Sequence, residues 1–213
     1  MNILIFLGPP GCGKGTQAEI LSKSDDFVKV STGDLLRDIA KKNTDFGLKI
    51  KDILDKGLLV SDDLVNDLID GFFKGLSNTK NVILDGYPRS VIQAKSLENI
   101  LKKYNTEVDK VFYFDIDEDI LVKRVTGRFA CSKCGSIYNS YFNNTKVENE
   151  CDACHSKNFI RRGDDSEAVI RDRINVFKTS TYPLLEYYKH KLVKFDANQP
   201  KELIAELIKG NLK

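Results

Sequence analysis

Residues 8–16 read Gly-Pro-Pro-Gly-Cys-Gly-Lys-Gly-Thr. The glycines free the backbone to curl its N–H groups around an anion. A helix beginning at the lysine would point its positive end at the same place. Gly11, Cys12, Gly13, Lys14, Gly15 and Thr16 are therefore candidates to hold a polyphosphate. The general phosphate loop has Ser or Thr directly after its lysine, where the hydroxyl reaches magnesium. Here Gly15 takes that place, so Mg²⁺ is expected to be held mostly through water. A ligand-free Gly-rich turn would not account for the lysine and the apolar run before it. Cys12 is read as a loop residue without a catalytic role, open to a thiol reagent.

A second chemistry lies in Cys131-x-x-Cys134 and Cys151-x-x-Cys154. Two such pairs at this separation fit one tetrahedral Zn²⁺ held by four thiolates. With no ligand position open, the zinc is expected to be structural. The stretch between the pairs is too polar for a core of its own, and a bound metal would supply the missing folding energy. Iron also fits four thiolates, and disulfides are the remaining alternative. His155 is read as a solvent-facing neighbour, because the second pair is already complete.

The third signal is arginine. Of 33 basic residues only eight are Arg; the rest are Lys. Lys serves on a solvated face, but a planar fork is needed to grip phosphate oxygens two at a time. Arg37, Arg89, Arg124, Arg128, Arg162 and Arg173 are the candidates for anion contact, with Arg161 and Arg171 read as surface ion pairs. Arg124 and Arg128 would share a helix face if that segment stays helical.

These residues need positioning. Apolar runs at 3–7, 27–30, 82–84, 111–114 and 192–195 predict strands. Helical spacing recurs at 17–21, 35–40, 64–73, 94–101, 120–125, 169–188 and 203–208. Strands alternating with helices predict an α/β fold, a parallel sheet with helices on both faces. Ligands in such sheets sit beyond the carboxyl ends of the strands. The phosphate loop, the segment 31–34 and the segment 85–89 all fall there. Ser31 or Thr32 is a candidate helix cap. Asp85 ends a strand beside the phosphate loop, where a carboxylate can hold Mg²⁺ through water; with Gly86 after it, a plain turn aspartate is the alternative. The segment 128–164 interrupts the pattern, with arginines at both of its roots.

The chain has 213 residues, 41% of them hydrophobic, and a formal charge of +2. That suits one domain with insertions and gives no argument for nucleic-acid or membrane binding. No apolar run is long enough to cross a bilayer, and the first reads as a buried strand rather than a signal peptide. A reducing, cytoplasmic setting and a monomer are expected. Only two histidines are present, and no paired-carboxylate or Ser–His–Asp set is evident. Phosphoryl transfer, which relies on positioning and charge neutralisation, fits this inventory.

Taken in order, 8–16, Ser31-Thr-Gly-Asp-Leu-Leu-Arg37, Gly57-Leu-Leu-Val60, Asp85-Gly-Tyr-Pro-Arg89 with Gln93, Gly127-Arg128, the four cysteines, and Arg162-Gly-Asp-Asp165 with Arg173 closely resemble the adenylate kinases with a zinc-bearing lid. The resemblance runs nearly end to end, and Gly15 is the family's own form. It implies a P-loop kinase fold with a five-stranded parallel sheet: core 1–30, 61–127 and 165–213, AMP-binding lobe 31–60, lid 128–164. It implies reversible phosphoryl transfer from MgATP to AMP, giving two ADP. Lys14 and the loop amides would hold ATP phosphates, and Arg124, Arg128, Arg162 and Arg173 would neutralise the group in flight. Arg37 and Arg89 would clamp the AMP phosphate; Thr32, Leu58, Leu59, Val60, Gly86, Tyr87, Pro88 and Gln93 would complete the AMP site. Ile137, Tyr138 and Gln199 would line the ATP base, and Asp85 would help place Mg²⁺. A cis bond before Pro88 is expected, and Arg162 rather than Arg161 is assigned the catalytic role. The rivals are a same-fold kinase for UMP, CMP or a small hydroxyl metabolite, and a zinc-ribbon nucleic-acid-binding ATPase. Residues 128–164 carry six basic and four acidic side chains, a weak field for a phosphate backbone.

Overall fold

The computed structural model describes residues 2–24, 26–76 and 81–212. The chain opens with β1 (Ile3–Leu7), α1 (Lys14–Leu21) and β2 (Phe27–Ser31). Next come α2 (Thr32–Ala40), α3 (Asp45–Asp55), α4 (Asp62–Lys74), β3 (Asn81–Asp85), α5 (Val91–Lys103), β4 (Val108–Asp115) and α6 (Glu118–Thr126). A small unit follows with β5 (Arg128–Cys131), β6 (Ile137–Asn139) and β7 (Phe159–Ile160). The chain closes with α7 (Glu167–Val176), a π turn (Phe177–Thr181), α8 (Leu184–Tyr187), β8 (Leu192–Asp196) and α9 (Lys201–Gly210).

The five expected strands form one parallel sheet in the order β2-β3-β1-β4-β8. β1 is apolar throughout because both faces of the sheet are covered. Ile3, Ile5 and Leu7 enter one core, and Leu4 and Phe6 enter the other. Chain order reverses on the two sides of β1, which opens a crevice beyond its carboxyl end. The loop at 8–13 emerges there.

The structure departs from the sequence expectations in three places. A single helix over 169–188 does not form. Pro183 has no N–H to give, so the helix widens into the π turn, with Tyr182 N–H donating to the Phe177 carbonyl at 2.8 Å, and resumes as α8. α3 had no predicted counterpart. Its Thr44 cap accepts from Gly47 N–H at 3.0 Å, but Phe46 and Leu48 are exposed and blur its apolar stripe. Third, Arg124 and Arg128 do not share a helix face. α6 ends at Thr126, and Arg128 begins β5. A side chain at Gly127 would meet Cδ2 of Tyr141 at 2.5 Å, so the chain turns where only glycine fits.

The segment 128–164 builds its own antiparallel sheet, β6-β5-β7. Its small core is Phe129, Tyr138, Phe159 and cysteines. Among the described residues no helix is long and apolar enough to cross a membrane.

Candidate active site

Gly13 caps α1 in the left-handed region, φ 99°, and Gly11 sits at φ 85° with a Cβ position only 2.5 Å from Val125 Cγ2. Neither place suits another residue. Lys14 begins α1 and its Nζ donates to the Pro9 carbonyl at 3.1 Å, folding the ammonium over the loop. Thr16 is exposed. Cys12 is 1% exposed and packs into the second core, so it is not the accessible thiol the sequence suggested.

Below the loop lies a cleft lined in part by Lys14, Leu59, Gly86, Pro88, Arg89 and Arg173. Arg89 Nε donates to the Gly86 carbonyl at 2.8 Å, and Thr32 Oγ1 donates to the same oxygen at 2.8 Å. Ser31, not Thr32, caps α2, accepting from Asp34 N–H at 3.3 Å. That leaves the Thr32 hydroxyl to tie the start of α2 to the loop after β3. The Tyr87–Pro88 bond is cis. Gln93 is held at both ends of its amide: its Oε1 accepts from Arg89 N–H at 2.7 Å and its Nε2 donates to Asp62 at 2.7 Å. Tyr87 is buried, with its hydroxyl on Asn66 Oδ1 at 2.6 Å. Thr181, which no sequence signal marked, donates to the Arg89 carbonyl at 2.8 Å from the π turn.

The arginines converge, and three of them pair with carboxylates. Removal from water holds Arg89 down to about 10, and repulsion from Arg173 and Arg37 adds to it. Arg162 is likewise pushed to about 10, by burial and then by Arg128 and Arg37. Arg173 is lowered by burial although it pairs with Asp164. Arg128 meets Asp165 with two prongs, Nε to Oδ2 at 2.9 Å and Nη2 to Oδ1. Arg37 pairs with Asp34 at 2.6 Å. Asp165 is a contributor the sequence reading did not single out. Arg124 stands apart from this group, its Nη2 donating to the Ala197 carbonyl at 3.0 Å and its guanidinium 6.0 Å from the Phe142 ring centre.

The remaining candidates divide. Leu58 is half exposed and Val60 is buried. Ile137 is exposed, whereas the Tyr138 ring lies in the small core, with its hydroxyl accepting from Asp152 N–H at 2.8 Å. The Tyr138 backbone pairs with Phe129 across β5 and β6. Gln199 Nε2 reaches Asp196 at 3.3 Å near the end of β8. Arg171 forms the expected surface pair with Glu167. Among the described residues Arg161 forms no ion pair: its Nη1 donates to the Thr126 carbonyl at 2.8 Å, and its guanidinium lies over Phe129.

The four cysteine sulfurs all lie within 4.8 Å of one another, with Cys131–Cys154 at 3.6 Å and Cys134–Cys151 at 3.5 Å. A disulfide needs about 2.05 Å. A Zn–S bond of about 2.3 Å in a regular tetrahedron sets sulfurs about 3.8 Å apart, so the donors fit zinc. The two pairs fold alike. Gly135 N–H returns to the Cys131 carbonyl and His155 N–H to the Cys151 carbonyl, both at 2.9 Å, with Gly135 and His155 both at positive φ. The Tyr138 hydroxyl at 3.3 Å from its sulfur holds Cys151 down to about 6 against the opposing effect of burial. His155 points to Glu150 at 2.7 Å and to solvent, not to the sulfurs.

A phosphate loop at the switch point of a parallel sheet, facing clustered arginines, defines a P-loop kinase. Residues 6–193 match the sequence model of the adenylate kinase family. The adenylate kinase of Hydrogenobaculum sp. (strain Y04AAS1) is 42% identical over 212 residues, 99% of this chain and 100% of that protein. That of Rickettsia bellii (strain RML369-C) is 41% identical over 213 residues, 99% of each chain. That of Rickettsia akari (strain Hartford) is 45% identical over 188 residues, 88% of this chain and 87% of the relative. The chain belongs to the adenylate kinase family. It is an enzyme that transfers a phosphoryl group reversibly between MgATP and AMP, giving two ADP, and its substrates are ATP, AMP and ADP.

Proposed function

We propose that the phosphoryl group passes between nucleotides held from opposite sides of the cleft. The observation that carries this reading is the cleft that Lys14 of the phosphate loop shares with Arg89 and Arg173, with Arg37, Arg128 and Arg162 close enough to these and to one another to disfavour their charge. Lys14 and the amides of Gly11, Cys12, Gly13, Gly15 and Thr16 hold the ATP phosphates. Arg37 and Arg89 clamp the AMP phosphate and aim one of its oxygens at the γ-phosphorus. As that bond forms and the bond to the β-phosphate oxygen breaks, Arg124, Arg128, Arg162 and Arg173 take up the charge. Burial supports Arg162 over Arg161 for this work. Thr32, Leu58, Leu59, Val60, Gly86, Tyr87, Pro88 and Gln93 shape the AMP side, with Tyr87 and Gln93 acting as supports through their own hydrogen bonds. Ile137, Gln199 and the Tyr138 backbone border the ATP base.

Mg²⁺ supplies charge neutralisation at the transferring phosphates, and Asp85 is the carboxylate that would hold it through water. Zn²⁺ at Cys131, Cys134, Cys151 and Cys154 is structural. Residues 31–60 form the AMP lobe and 128–164 a lid whose closure excludes water from the transferring group. The protein works as a monomer in the cytoplasm, where four reduced thiols keep their metal, and it binds neither nucleic acid nor membrane.

The depressed arginines set a pH limit. Arg89 and Arg162 carry charge below about 10 and lose it above. kcat/KM reports the free enzyme, so it should fall as pH rises through about 10. Bound phosphate favours the charged guanidinium, so kcat should fall at higher pH than kcat/KM. Initial rates across pH 8 to 11 check this; a flat kcat/KM through that range would contradict it.

A further inference from the structure

Asp85 does not stand alone. Lys29, on β2, lies with Nζ 4.0 Å from Asp85 Oδ2 and 3.6 Å from Asp34 Oδ2. Both distances exceed a hydrogen bond, so the ammonium is shared between the carboxylates rather than committed to either. The Lys29 and Asp85 side chains are only 22% and 12% exposed. Asp34 in turn binds Arg37. At the other end, the Asp85 carboxylate oxygen lies 3.2 Å from where a Cβ on Gly15 would stand. An ionic chain thus runs from the phosphate loop through Asp85, Lys29 and Asp34 to Arg37, joining the two sides of the cleft.

We propose that Lys29 is the resident counter-cation of Asp85, weakening the free enzyme's hold on a divalent cation so that the metal enters with its nucleotide. This rests on the reading of Asp85 as the carboxylate that holds Mg²⁺ through water. An ammonium and a divalent cation facing one poorly solvated carboxylate repel each other. A nucleotide brings its own negative charge and tips the balance towards the metal. Lys29 is therefore a positioning residue. It makes the empty cleft a poor cation site.

Mn²⁺ binding followed by electron paramagnetic resonance tests this without turnover. Nucleotide-free Lys29→Gln protein should bind Mn²⁺ at least fivefold more tightly than the parent. Lys29→Arg should behave as the parent, and Asp85→Asn added to Lys29→Gln should abolish the gain. Unchanged Mn²⁺ affinity in Lys29→Gln overturns the proposal, as does a gain that survives Asp85→Asn. Asp85→Asn alone, measured with ADP bound, separates the two readings. Weakened Mn²⁺ binding there with no gain in Lys29→Gln sinks only the counter-cation. Unweakened binding sinks the Asp85 reading as well.

Discussion

Arg89→Ala should lower kcat by about 10²- to 10³-fold, the usual loss when one preorganised charge-stabilising donor is removed, while leaving the melting temperature unchanged or slightly higher. The two halves of the prediction share one cause. Arg89 is buried beside Arg173 and Arg37, and both its desolvation and that repulsion disfavour its charge in the free enzyme. Removing it relieves the free enzyme of a strain that exists only to meet a phosphate. The Gly86 carbonyl keeps Thr32 as a donor, so no buried acceptor is orphaned. Steady-state rates with calorimetry on the same preparation check both halves. A variant within threefold of parental turnover would remove Arg89 from the phosphate clamp. A loss of about 10 °C in melting temperature would make it a structural residue instead.

Replacing Cys131 and Cys134 together by serine should cost one bound zinc per chain and destabilise the segment 128–164. Its core beside the cysteines is only Phe129, Tyr138 and Phe159, and the strands around them are two to four residues long. Apparent zinc binding contributes about 10–16 kcal/mol in isolated zinc-finger peptides. A segment anchored at both ends retains part of its order, so a smaller loss is expected. In a chain of this size each kcal/mol moves the melting temperature by about 2–4 °C. A fall of 10 °C or more is therefore expected, larger in effect than the change in activity at low temperature. Metal analysis with a thermal melt decides it. Unchanged metal content would show that the thiols hold no zinc, and an unchanged melt would show that the metal does not hold the segment.

The sheet was legible because each strand carries a short apolar run, buried on both faces in β1, β3 and most of β4, a pattern that needs no knowledge of partners. The phosphate loop was legible because glycine spacing and a lysine state a local geometry. The cysteine cluster was legible because the spacing within each pair already fixes a knuckle. What escaped depends on contacts distant in sequence. Thr181 reaches the Arg89 carbonyl across 92 residues, and Asp165 reaches Arg128 across 37. The Lys29–Asp85 approach exists only because β2 and β3 lie side by side. The split of 169–188 was written locally in Pro183, but apolar periodicity on both sides of it masked the break. Tyr138 was assigned to the ATP base by family resemblance alone, and packing places its ring in the small core.

The central claim is that this cleft joins two adenine nucleotides through one phosphoryl group. The direct test is ADP formation from MgATP with AMP, run beside UMP, CMP, GMP and no acceptor. The account predicts rapid ADP formation with AMP and at most slow background with the others. Equal activity with another monophosphate, or hydrolysis without any acceptor at the rate seen with AMP, would contradict it.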